Sequence, residues 1–318
     1  MQVFHCPTCG ATLWFHNTAC TCGQEVFFDP DAQAMVSDAA PCANRSEIAC
    51  NWRAEQDDLC RSCAMTTTLP DLREPDNAAL WQRTEEAKRW VLANLMRWGW
   101  FTASDQGARP VFQLLSEQTA EGTEQVTMGH ASGTITINVT EASDTELVHR
   151  QQQMGELYRT MIGHMRHEIA HFLFERLAEN PDFLETFRAT FGDERADYGE
   201  ALKAHYANPK DKGDTHITQY ATAHPHEDWA ETIAHLLHLT DLLDSAAAAG
   251  LALPEGPPPG YDAYAETDTE HLLTHAINLA LAINHVNRAL DLNDLYPFIL
   301  TQPVRDKLAT AHAALRQH

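Results

Sequence analysis

The chain has 318 residues, enough for two or three units with a substantial core, and carries 45 acidic against 22 basic residues, a formal charge of −23 at pH 7. That field repels a phosphate backbone, which sets nucleic acid aside as a partner and suits a basic partner, or serves solubility alone. No window approaches 18 uninterrupted apolar residues, and Met1-Gln-Val-Phe-His-Cys6 has neither a basic nor an apolar leader pattern, so the expectation is a cytoplasmic chain with no membrane partner.

All eight cysteines fall in the first 63 residues, as Cys6-Pro-Thr-Cys9, Cys20-Thr-Cys22-Gly23, Cys42, Cys50 and Cys60-Arg-Ser-Cys63. Paired cysteines beside Gly or Pro are the signature of zinc-ribbon knuckles, and a reducing compartment favours structural zinc over disulfides. Taken in sequence, Cys6, Cys9, Cys20 and Cys22 make one four-thiolate site, and Cys42, Cys50, Cys60 and Cys63 a second. Cys20-x-Cys22 is shorter than the usual two-residue spacing. Residues 1–65 therefore read as a double ribbon with short strands such as Glu25-Val-Phe-Phe28. Three arginines and eight acids give residues 1–63 a net charge of −5. Each zinc with four thiolates adds about −2, so the ribbons suit an architectural role or a protein partner.

Residues 66–77 form a connector with two prolines and Asn77 as an expected helix cap. A helix follows from about Ala78 to Trp98, ended by Gly99. Between Arg109 and Thr140 the period changes toward two, in Val111–Leu115, Gln125–Met128 and Thr134–Val139, with Gly122, Gly129 and Gly133 as turns. These runs predict a small, mainly antiparallel sheet over the helix that follows, with an edge able to add an extended peptide as a strand.

From Asp144 onward the pattern is helical, and Tyr158–Asn180 reads as one buried helix stopped at Pro181. It contains His167-Glu168-Ile169-Ala170-His171. Residues four apart share a helix face, so both imidazoles can address one metal ion, with Glu168 beside it as a base for a bound water. This is the arrangement that zinc peptidases use. His164 lies one turn earlier on the same face. Phe174 and Leu177 occupy the positions where a metzincin has Gly and His, which excludes that class.

Shorter helices are expected at about 182–190 and 193–207. A third metal ligand is sought downstream, and His224-Pro-His-Glu227-Asp-Trp-Ala-Glu231 offers it at a helix start marked by Pro225 and acids in the first turn. Glu227 is the expected ligand and Glu231 the acceptor that would hold a ligand imidazole by its other nitrogen. The acidic run Asp193–Asp197 is the rival source of the ligand. Tyr220, two turns before Glu227, is the candidate hydroxyl for an oxyanion, with His224 as an alternative. The Glu227 helix runs to about Asp244, Ala246–Gly260 is a Pro- and Ala-rich connector, and a helical pair closes the chain at about 267–290 and 303–316.

Phe4-x-Cys-Pro-x-Cys-Gly10, Cys50-Asn-Trp52, Ile135–Asn138, Arg166–His171, Phe191–Tyr198 and His224-Pro-x-Glu-Asp-x-Ala-Glu231 together resemble the bacterial zinc-binding metallopeptidases that carry an N-terminal zinc-ribbon region. The resemblance spans nearly the whole chain. It implies an α+β fold, with ribbons at 1–65, a linker at 66–77 and a mainly helical, gluzincin-like domain at 78–318. It further implies that His167, His171 and Glu227 would hold one catalytic zinc, beside two structural ions, and that the chain would act on a peptide or protein substrate. Two alternatives stay open: a non-catalytic adaptor with a closed metal site, and a zinc hydrolase acting on non-peptide amides.

Overall fold

Phe4–His5 (β1) and Thr12–Leu13 (β2) pair antiparallel, and the chain leaving β1 presents Cys6 and Cys9 in a tight knuckle. The Gly10 amide donates to the Cys6 carbonyl at 2.9 Å, which requires the left-handed backbone that Gly10 adopts at φ 73°. The computed structural model describes residues 1–55, 57–147 and 160–317. They divide into two units, Met1–Phe172 and Leu173–His318.

In the first unit, Phe27–Asp29 (β3) pairs antiparallel with Ala34–Val36 (β4), and Asp29 Oδ1 accepts from the Asp31 and Ala32 amides to close the turn. The expected strand at residues 25–28 is thus offset by about a residue, with Phe27 and Phe28 at its heart. Two one-turn helices, Arg45–Ile48 (α1) and Arg61–Ala64 (α2), frame the second cysteine group. Phe4, Phe15, Phe28 and the fully buried Trp52 form an aromatic core, and Phe15 meets Trp90 edge-on at 5.4 Å. Trp90 lies on Asn77–Met96 (α3), so the ribbon is packed onto that helix rather than tethered to it.

Four strands build the main sheet, in the order Thr66–Thr68 (β5), Val111–Leu115 (β6), Thr134–Asn138 (β10), Gly129–Ala131 (β9). Gln118–Thr119 (β7) and Gly122–Thr123 (β8) form a separate hairpin. The alternation expected for 111–115 and 134–139 holds, with Phe112, Leu114, Ile135 and Ile137 fully buried. The sheet is mixed: β9 and β10 are antiparallel, whereas β6 runs parallel to both β5 and β10. The reason is the connection. β5 and β6 are joined through α3, and a helical crossover returns the chain in the same direction. Thr66–Thr68, read from sequence as the start of the connector, is an edge strand of this sheet. Residues 125–128 form no strand, and the β-structure there begins at Gly129. Asn77 opens α3 without capping it. Its amide nitrogen donates to the Asp71 and Gln118 carbonyls, and its oxygen accepts from Ser116.

The helix carrying the HExxH motif, Met161–Leu177 (α4), begins in the first unit and ends in the second. The part of the expected helix at 148–159, Tyr158 included, lies outside the described residues. In the first unit Phe172 packs against Phe101 at 5.9 Å and His130 at 6.0 Å.

In the second unit Pro181–Phe191 (α5), Tyr198–Ala207 (α6), Pro225–Ala248 (α7), Thr269–Ala289 (α8) and Gln302–Arg316 (α9) follow the expected order closely. A 3-10 turn at Tyr220–Thr222 precedes α7. α7 buries Trp229, Ile233, Leu236, Leu237, Leu239 and Leu243, since α5, α8, α9 and the 3-10 turn all contact it. Among the described residues no helix is long and apolar enough to cross a membrane. The α+β class and the order of ribbons followed by a mainly helical region are as expected.

Candidate metal centre

The cysteines gather as the sequence groups them. In the first group Cys6 Sγ lies 3.9 Å from Cys22 Sγ, and Cys9 Sγ lies 3.6 Å from Cys20 Sγ. In the second, Cys50 Sγ lies 3.6 Å from Cys60 Sγ and 3.9 Å from Cys63 Sγ. Four sulfurs about 2.3 Å from a tetrahedral zinc are about 3.8 Å apart, so both groups have the right dimensions. The short Cys20-x-Cys22 pair still closes its site. A compact turn, with the Gly23 amide donating to the Cys20 carbonyl and the Cys20 amide to the Gln24 carbonyl, brings Cys22 round to Cys6.

The second group is entirely buried, and α2 is capped by one of its cysteines. Cys60 Sγ accepts from the Cys63 amide, and Cys42 Sγ from the Cys60 amide. Two fully buried cations on α3 stand nearby. Burial works against the Arg89 charge, but Cys50, then Glu85, Cys63 and Cys60, hold the guanidinium ionised above its usual range. Lys88 bonds Glu85 Oε1 at 2.8 Å and also Thr66 Oγ1. A four-thiolate zinc site carries a net charge of about −2, and these two cations are its natural complement.

The third group starts on α4. His167 and His171 lie one turn apart with their Nε2 atoms 3.2 Å from each other, close to the roughly 3.3 Å spanned by two imidazoles on one tetrahedral ion. Glu168 is only 7% exposed, and its Oε2 is buried with no hydrogen-bond partner among the described residues. A carboxylate oxygen left bare in an apolar helix is costly unless water or a cation reaches it. His164 does not join the pair: its Nε2 lies 3.5 Å from Glu141 Oε2, a buried acid just beyond β10.

At the other end of α4, Phe174 belongs to an aromatic cluster with Phe183, Phe187 and Trp229, and stacks edge-on to His226 at 4.5 Å. That contact holds the start of α7 against the end of α4. His224 caps α7: its Nδ1 accepts from the His226 amide at 3.1 Å, and its Nε2 donates to the Ala196 carbonyl at 3.1 Å. This fixes the tautomer and commits the ring to structure. Glu227, 1% exposed, follows in the first turn. His167, His171 and Glu227 each offer a ligand atom, and the three atoms lie within 4.8 Å of one another.

The rival acids are engaged elsewhere. Asp193 binds Arg195 at 2.7 Å, Glu194 binds Arg188, and Asp197 caps α6 by accepting from the Glu200 amide at 2.9 Å. Tyr220 opens the 3-10 turn and packs on His205 at 5.9 Å. Burial first, and then the charge of Glu227, push its hydroxyl far above the ordinary phenol range, so it is held protonated. Sequence reasoning missed Tyr198, whose hydroxyl donates to Glu227 Oε1 at 2.6 Å. It follows the Asp197 cap directly. Its only sequence signal was its place in the Phe191–Tyr198 stretch of the resemblance.

Two four-cysteine clusters that fit zinc ribbons stand ahead of a mainly helical region whose α4 carries the HExxH sequence. Residues 77–314 match the family described as "Putative zinc-binding metallo-peptidase", and the chain belongs to that family. It is also 38% identical to an uncharacterized protein of Mycobacterium bovis and to ones from two strains of Mycobacterium tuberculosis, over 99% of this chain and 95% of theirs. No solved structure matches the chain.

Proposed function

We propose that this chain is a zinc-dependent peptidase in which His167, His171 and Glu227 hold the catalytic ion and Glu168 is the general base. The observation that carries the reading is the buried, unpartnered Glu168 Oε2 beside an imidazole pair spaced for one ion. A zinc ion there would supply a water acidified into the neutral range and polarisation of the scissile carbonyl. Glu168 takes the proton of the attacking water and returns it to the leaving amine. Tyr220, protonated and close to Glu227, donates to the oxygen that gains charge. Tyr198 orients the Glu227 carboxylate, and Glu231, one turn on, takes the role of acceptor for a ligand imidazole.

The grouping of these three side chains supports the reading, since three protein ligands would leave one zinc position for water. The substrate is an extended peptide added to β9. That strand is an edge of the sheet, and His130 on it packs against Phe172, the residue after His171. The ribbons hold one structural zinc each and offer a surface to a protein partner. The reduced thiols they require suit the cytoplasm.

The test combines zinc content with a peptide-library cleavage screen. After brief chelation wild type should hold three zinc ions per chain and cleave, and His167→Ala should hold two and be inactive. Cleavage that survives Glu168→Gln would overturn the mechanism.

A further inference from the structure

Helix α8 carries a second pair of histidines one turn apart, His271 and His275, in no part of the HExxH chemistry. Their Nε2 atoms face each other at 2.7 Å, and the rings meet at 63° with centroids 4.3 Å apart. Just before the helix, Glu266 grips the first ring: its Oε2 lies 2.7 Å from His271 Nδ1. The carboxylate is itself fixed. Oε1 accepts from the Thr267 and Asp268 amides at 2.8 and 2.9 Å, and Oε2 also accepts from the Tyr261 hydroxyl at 3.1 Å.

This network assigns the tautomer of His271. A carboxylate on Nδ1 requires the proton there, so Nε2 presents a lone pair to His275. One outcome is a plain hydrogen bond from His275 Nε2–H. It would leave His275 Nδ1 as a buried lone pair. That nitrogen is buried with no hydrogen-bond partner among the described residues; burial and then His271 lower the basicity of the ring, and the Glu255 backbone carbonyl, an acceptor, works against them. An acceptor beside the ring suits an N–H over a second lone pair. With both protons on Nδ1, two Nε2 lone pairs converge on one point, and a cation resolves the conflict. The arrangement repeats that of His167 and His171, and a carboxylate on the far ring nitrogen is the usual support of a ligating histidine. Opening the pair by roughly 0.6 Å, a small ring rotation, gives the spacing of two imidazoles on one tetrahedral ion.

We propose that His271 and His275 form a further metal site for a divalent transition ion of imidazole preference, zinc or copper(II), with Glu266 orienting His271 and solvent completing the coordination. The His271 side chain is 50% exposed, so the ion exchanges with bulk solvent and binds less tightly than those of the other three sites. The site is independent of the peptidase reading.

The test is equilibrium dialysis of the full chain against zinc chloride, followed by elemental analysis. Wild type should take up one more equivalent than His271→Ala or His275→Ala, and lose it on brief chelation. His167→Ala should keep that extra equivalent, which separates this site from the HExxH centre. Glu266→Gln should weaken it about 10- to 100-fold. Equal uptake by wild type and both histidine variants would overturn the proposal. Ring ¹H–¹⁵N resonances of wild type give a check that needs no variant: zinc should shift those of His271 and His275, and unchanged rings at saturating zinc would overturn it as well.

Discussion

Glu168 shows what a single buried carboxylate implies. Replacing it by Gln keeps the volume and removes the proposed base. We expect unchanged zinc content and a fall in kcat of about 10²- to 10⁴-fold, read on any peptide from the library screen. Tyr198 makes a different prediction. Tyr198→Phe leaves Glu227 in place without its hydroxyl partner, so zinc retention against a competing chelator should fall about 10- to 100-fold. At this scale the placement of His167 and His171 together was legible because helix geometry converts spacing directly into a shared face. Glu227 was legible because Pro225 and the acids after it announce a helix start. Tyr198 was not, because its bond spans 29 residues and depends on where α6 is set down.

At the scale of elements, α7 and α9 carry the stability arguments. His224→Ala removes the side-chain cap of α7 and should cost about 1 kcal/mol, read as a shift in the denaturation midpoint. His312 on α9 is 1% exposed and bonds Thr269 at the start of α8. Burial first, and then Arg316, lower its pKa to about 4, against about 6.5 in an unfolded chain. The unfolded state therefore binds the proton more readily. The stability His312 supports is complete above about pH 6.5 and is lost as pH falls from there through about 4. Urea midpoints should drop over that window in wild type and less so in His312→Gln. Helix positions were largely legible from the 3.6-residue period and its stop signals. Strand direction was not: three threonines after Cys63 carry no signal of joining a sheet, and only the α3 crossover makes β5 and β6 parallel.

For the whole molecule, metal and charge dominate. Stripping both four-cysteine sites with a strong chelator removes about 10–16 kcal/mol of binding energy each, more than a small module retains without it. We expect the near-ultraviolet signal of buried Trp52 to collapse and to return with zinc. The formal charge of −23 adds self-repulsion, so moderate salt should raise the thermal midpoint by screening.

The Phe112 amide of β6 donates to the carbonyl of Met65, two residues beyond the last ribbon cysteine, at 2.7 Å. One backbone proton in the sheet therefore hangs on a carbonyl whose position is set by the cysteine knuckle that would hold zinc. Its exchange with deuterium acts as a clock for zinc occupancy. The strand Phe112 belongs to is made only after the cysteines have left the ribosome, so a zinc-starved cell would inherit a chain whose sheet lacks a firm first edge.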